Sequence, residues 1–219
     1  MKKVILIIIF IIFVIKDGFC FHPVFLRYNN IESVITKYGL EISNNIKKGQ
    51  SAKAYLKYST TKDKDGNITA NISFVLTSDG KKIGPISQVV KYNKAGNFKI
   101  DDEFNVEDKG IYIEIQHFYI QFPDFTLKKD DKWEEVSSIS NLEGDIVKLN
   151  IVNMLKNIDY KTKICEIVSK GEGEDKKYQF IRRNQFDFDK GIIIKSEVKI
   201  MIKSKDGNII SDIKLINVK

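Results

Sequence analysis

The chain has 219 residues, 42% hydrophobic and 11% aromatic, with 36 Lys and Arg against 29 Asp and Glu for a net charge of +7. That length buries a sizeable core without cross-links, and two cysteines exclude a disulfide scaffold. The lysines are interleaved with acids rather than gathered in a stripe, which argues against a nucleic-acid partner.

The amino end reads as a secretion signal. Met1-Lys2-Lys3 is a short basic segment, Val4 to Ile15 is an unbroken apolar run, and Lys16-Asp17 closes it. The run is about a dozen residues, the length of a signal core, whereas a membrane span needs roughly 20. Gly18 and Cys20 supply the small residues a cleavage site requires, so the signal is assigned to 1–20 and the mature chain to 21–219. Lipidation of Cys20, giving an outer-surface lipoprotein, is disfavoured by the bulky Phe19 before it. Either way the domain is expected outside the cytoplasm, in the periplasm or the extracellular space, with no transmembrane span in the mature chain.

Along the mature chain, Asn29 to Tyr38 fits either a short helix or a first strand. Ile68, Ala70, Ile72, Phe74 and Leu76 then alternate with polar residues from Asn67 to Thr77, the period-two signature of a strand with one wet face. Asp65-Gly66, Asp79-Gly80 and Asp206-Gly207 supply hairpin chemistry between such runs. Pro23, Pro85 and Pro123 are expected at strand starts or ends, where no ladder donor is lost.

Ile111 to Phe122 reads as a central strand. Ile111, Ile113, Ile115, His117 and Tyr119 share one face, and Tyr112, Phe118, Ile120 and Phe122 share the other. Apolar character on both faces fits double-sided burial, or a strand lining an apolar cup. Phe122-Pro123-Asp124-Phe125 reads as a packed joint between two halves of one domain meeting near 122–133. Asp145 to Ile158 fits helix and strand almost equally. Ile192, Ile194, Val198, Ile200 and Ile202 are expected to face inward from a strand over 192–203.

The fold class is therefore mainly β: an antiparallel curved sheet or open barrel with hairpins and one or two short helices. Lys-Asp-Gly-Asn-Ile occurs at 64–68 and 205–209, and convergence on hairpin chemistry explains it better than duplication.

Chemistry-bearing signals are few. The histidines are His22 and His117, with no nucleophile elbow, phosphate-binding loop or histidine pair at metal-ligand spacing, so no catalytic residue, metal or cofactor is assigned. A free amine at Phe21 with His22 offers a copper chelate, against a disordered terminus as the plainer reading. Cys165 is read as a half-buried small hydrophobe. The basic, aromatic run Lys176 to Arg183 is read as the wet face of a strand, with contact to anionic lipid or cell-wall polymer as its functional alternative. Asn67 and Asn71 head glycosylation-type triplets but lie within a strand.

The signal, the lysine-rich strands, the aromatic central segment and Phe122-Pro123 leading into Lys128-Lys129-Asp130-Asp131-Lys132-Trp133 resemble a group of exported bacterial β-rich proteins, uncharacterised in function. Their second half opens with Pro and then Gly-Asp-x-Trp; Asp130 stands here where that pattern has Gly. The architecture is also similar to periplasmic lipoprotein carriers, whose curved sheet holds acyl chains. The residues together with this resemblance give the expectation of an exported, non-catalytic envelope protein binding a lipid or other amphiphile in a curved sheet, its candidate apolar lining read from the strand faces as Phe74, Ile113, Ile115, His117 and Tyr119. The alternative is an envelope structural or interaction protein with no ligand cavity, its partner another envelope protein.

Overall fold

A computed structural model describes residues 23–28, 36–45, 51–78, 80–99, 115–140, 146–174, 176–204 and 207–218. The proposed signal, His22 and Ile113 lie outside them.

The strands in chain order are β1 (Thr36–Asn44), β2 (Ser51–Lys62), β3 (Ile68–Ser78), β4 (Lys81–Tyr92), β5 (Phe98–Lys99), β6 (Lys132–Ser140), β7 (Ile146–Asp159), β8 (Ile164–Gly173), β9 (Tyr178–Asp187), β10 (Ile192–Ser204) and β11 (Gly207–Val218). They form one 11-stranded sheet in the order β5-β4-β3-β2-β1-β11-β10-β9-β8-β7-β6. The first meander runs from the centre to one edge, and the second runs from the opposite edge back to the centre. There β11 pairs antiparallel with β1, Leu40 opposite Leu215. The curved antiparallel sheet expected from the alternation is present, open rather than closed into a barrel.

Alternation sets the faces. In β3, Ile68, Ala70, Ile72 and Phe74 are buried while Thr69, Asn71 and Ser73 point outward. The ambiguous stretch at 145–158 is strand β7, with Leu149, Ile151, Asn153 and Leu155 inward. Its helical spacing arises from a bulge between Leu155 and Asn157, which shifts the phase of Ile158. A second bulge between Ile193 and Lys195 corrects the inward set read for β10: Ile193, Ser196, Val198 and Ile200 are buried, and Ile192 and Ile194 are only half-buried.

Loop chemistry separates the two Lys-Asp-Gly-Asn-Ile copies. At the first, Asp63 closes a five-residue loop: its carboxylate accepts from the Asn67 amide at 2.8 Å and its carbonyl from the Gly66 amide at 3.1 Å. Hydrogen bonds to the carboxylate, from the Asn67 side-chain amide at 2.8 Å above all and then from the Asn67 backbone, hold the Asp63 carboxyl below its usual pKa. Asn93 to Asn97 repeats the pattern, with Asn93 accepting from Asn97 at 3.0 Å and Gly96 donating to Asn93 at 2.9 Å. At the second copy, ladder pairing continues to Ser204 opposite Gly207.

Pro85 departs from expectation by lying inside β4, after a cis Gly84–Pro85 bond. Among the described residues no strand pairs with β4 on that side over this stretch, since β5 meets only Lys91 and Tyr92. The missing donor costs no ladder bond.

The largest correction concerns Ile111 to Phe122. Residues 115–118 form a 3-10 helix and 119–123 an extended strap outside any ladder. The strap crosses the inner face of the sheet on its way to β6. Phe118, Ile120, Phe122 and Leu127 are buried there beside Val24, Leu26 and Tyr28 of the amino-terminal segment. Val24 and Leu127 exchange backbone hydrogen bonds, both 2.7 Å.

The turn into β6 holds Asp130 at φ +69°, a left-handed conformation that glycine adopts without cost. Its amide donates to the Leu155 carbonyl at 2.7 Å. Asp130→Gly is expected to raise stability by up to about 1 kcal/mol by relieving this strain, read as a higher urea midpoint at unchanged slope.

Candidate functional site

The inner face carries a fully buried polar cluster. On β9, Tyr178, Phe180, Arg182, Asn184 and Phe186 share inward parity, so Arg182, 1% exposed, stands among core aromatics. All five of its N–H donors find acceptors. Nε donates to Ser169 Oγ at 3.1 Å, and Nη2 to Glu135 Oε1 and Asn153 Oδ1, each at 3.2 Å. Nη1 donates to the carbonyls of His117, at 3.3 Å, and Tyr119.

The rest of the cluster is equally committed. Asn153 donates to Glu135 Oε2 at 2.9 Å, and Ser169 donates to Asn153 Oδ1 at 2.6 Å. Asn184 donates to the Phe118 carbonyl at 2.6 Å while accepting from Ser196 Oγ at 2.5 Å.

These side chains hold the strap by its main chain. Besides the three carbonyls already named, the Gln121 amide donates to Glu135 Oε2 at 2.9 Å, and Trp133 Nε1 donates to the Gln121 carbonyl at 2.7 Å. The Ile120 amide donates to the Tyr28 hydroxyl at 2.9 Å, and the Phe122 amide to the Ala95 carbonyl at 2.7 Å. Burial pushes the Tyr28 hydroxyl well above its usual pKa, only partly offset by the Ile120 bond, so it stays a neutral hydroxyl.

Of the residues proposed as an apolar lining, Phe74, His117 and Tyr119 are packed against other side chains. Phe74 is core on β3. His117 is buried in the 3-10 helix with its ring 6.0 Å from Phe180. Half-buried Tyr119 packs on Tyr28 and Tyr92 at centroid distances of 5.1 and 4.9 Å. Ile115 opens the 3-10 helix, and Ile113 lies outside the described residues. Over the described residues 115–123 the segment is not a strand, so Ile115, His117 and Tyr119 share no strand face; residues 111–114 lie outside the described residues.

Cys165 is buried on β8, and burial pushes its thiol up to about 12. The basic run at 176–183 is split by the pleat: Arg183 and the lysines are exposed, while Arg182 is core. Sequence reading missed Arg182, Asn153, Ser169 and Asn184. For Arg182 and Asn184, parity with Tyr178, Phe180 and Phe186 was the available signal.

The outer face is charged. Register aligns Lys53, Glu41, Lys214, Glu197 and Arg183 across five adjacent strands with strictly alternating sign. Lys53 and Glu41 stand 3.2 Å apart, and Lys195 reaches Glu197 at 2.7 Å, holding that carboxyl below its usual pKa. The row borders an open groove of about 760 Å³. Lys214→Glu would set three acids side by side where β1 meets β11. The expected loss is about 1 kcal/mol, shrinking in high salt, as measured by urea titration at two ionic strengths.

Fold and cluster together define an open, single-sheet antiparallel β protein whose own strap, among the described residues, packs on its inner face. No protein-family model matches the chain, and no curated protein does. Among solved structures it is similar to that of a candidate exported protein from Bacteroides fragilis with a YmcC-like fold. The identity is 9% and the TM-score 0.37, over 89% of this chain and 99% of the other.

Proposed function

We propose that the protein is an exported, non-catalytic envelope protein that works through its surfaces rather than by carrying a ligand inside the sheet. The observation supporting this is the strap. Among the described residues, Phe118, Ile120, Phe122 and Leu127 occupy the inner face where a carrier would hold an acyl chain. The densest polar cluster has its donors and acceptors turned on one another and on the strap, which favours a structural role over catalysis. Export rests on the basic and apolar leader of residues 1–20. No helix among the described residues is long and apolar enough to cross a membrane.

Native mass spectrometry of the protein recovered from the envelope, before and after organic extraction, tests this reading. The expected species begins at Phe21 and carries no lipid-sized adduct. A lipid-sized mass lost on extraction would overturn the surface reading in favour of a carrier, and an unprocessed cytoplasmic chain would overturn export.

A further inference from the structure

We propose that the rim built from residues 23–28 and 124–130 is a contact surface for the lipid bilayer; this rests on the envelope reading above. Among the described residues, two of the most exposed large apolar side chains lie here, Phe25 at 50% and Phe125 at 53% exposure. The two segments that carry them are tied together. Val24 and Leu127 exchange backbone hydrogen bonds, and Arg27 reaches the Pro123 carbonyl and the Asp124 carboxylate, each at 2.6 Å. The same guanidinium lies 3.9 Å from the centroid of the Phe25 ring, so one side chain links both parts of the rim.

The surrounding chemistry suits an interface between water and hydrocarbon. Lys128 and Lys129 are exposed, with stems able to lie along apolar material while their ammonium groups stay in water. Two of the nearby acids are already engaged: Asp124 by Arg27, and Asp131 by the Lys128 amide at 2.7 Å. Aromatic rings flanked by lysines favour the boundary between headgroups and acyl chains.

The chain itself names the occupant. The apolar run Val4 to Ile15 leads into this rim and no other part of the fold. From Ile15 to Pro23 the chain can span at most about 27 Å. Until the leader is cut, Pro23 therefore stays within about 27 Å of the bilayer that holds that run, which brings this rim to the membrane before the rest of the fold.

Flotation of the processed protein with vesicles of phosphatidylethanolamine and phosphatidylglycerol at about three to one tests the proposal. The wild-type protein is expected to float with the vesicles. Phe25→Ser/Phe125→Ser is expected to lower binding about tenfold or more, from the apolar area withdrawn from the bilayer. Tyr55→Ser removes a ring that is 75% exposed on the outer face of the sheet, and is expected to change nothing. Unchanged Trp133 emission and melting temperature establish that each variant is folded. Wild-type protein that stays below the vesicles, a double variant that floats equally well, or an equal loss with Tyr55→Ser would overturn the proposal. Failure of export would show separately, as unprocessed protein in the cytoplasm.

Discussion

Arg182→Met is expected to lower the stability of the folded protein by about 3–5 kcal/mol, a fall in melting temperature on the order of 10 °C for a chain of this size. The loss has two sources. Glu135 is left as an uncompensated charge in the core, where its partner had stood 3.2 Å away with both side chains at most 2% exposed. The carbonyls of His117 and Tyr119 also lose a charged donor without gaining water. A buried ion pair is not favourable merely because it is there, since desolvating both charges costs about as much as their attraction returns. Arg182→Met combined with Glu135→Leu is therefore expected to recover part of the loss. Urea titration of both variants checks this; a single-variant loss below about 1 kcal/mol would mean that Arg182 does not hold the strap.

Gly96→Ala is expected to cost about 3 kcal/mol or more. Gly96 sits at φ +89°, in the loop that carries the strap, and a Cβ there would overlap the Ile120 carbonyl oxygen and stand 2.7 Å from the Tyr28 ring. Backbone meets backbone at this point, so no rotamer change can make room. The Phe122 amide bond to Ala95, one residue away, would be strained by the same displacement. A change within about 0.5 kcal/mol would show that strap and loop do not meet as described.

Much of the sheet was legible in the sequence because period two is imposed by a half-buried surface. Ile68 to Phe74 on β3 and the Asp-Gly turns carry that signal locally. Bulges were not legible. One residue inserted near Ile193 or Leu155 reverses the phase downstream, and nothing local in the sequence marks it. The strap was misread for an instructive reason. Phe118, Ile120 and Phe122 do alternate and are buried, as in a strand, but their backbone groups are met by side chains of Arg182, Asn184, Glu135 and Tyr28. Those partners lie up to 92 residues away in sequence, at Tyr28. The candidate site suffered accordingly. His117 and Tyr119, expected to line an apolar cup, pack on Phe180 and on Tyr28 and Tyr92 respectively. Arg182, paired in sequence with exposed Arg183, passed for solvent-facing charge until β9 parity put it in the core.

Native-state hydrogen exchange at Ile120, Gln121 and Phe122 would decide most directly whether the strap is core or a removable cover. If it is core, these three amides should be as strongly protected as those of the ladder between β7 and β8, opening only when the whole sheet unfolds. Exchange within minutes, with the ladder still protected, would contradict this: the strap would open on its own and the inner face would be free to hold a ligand.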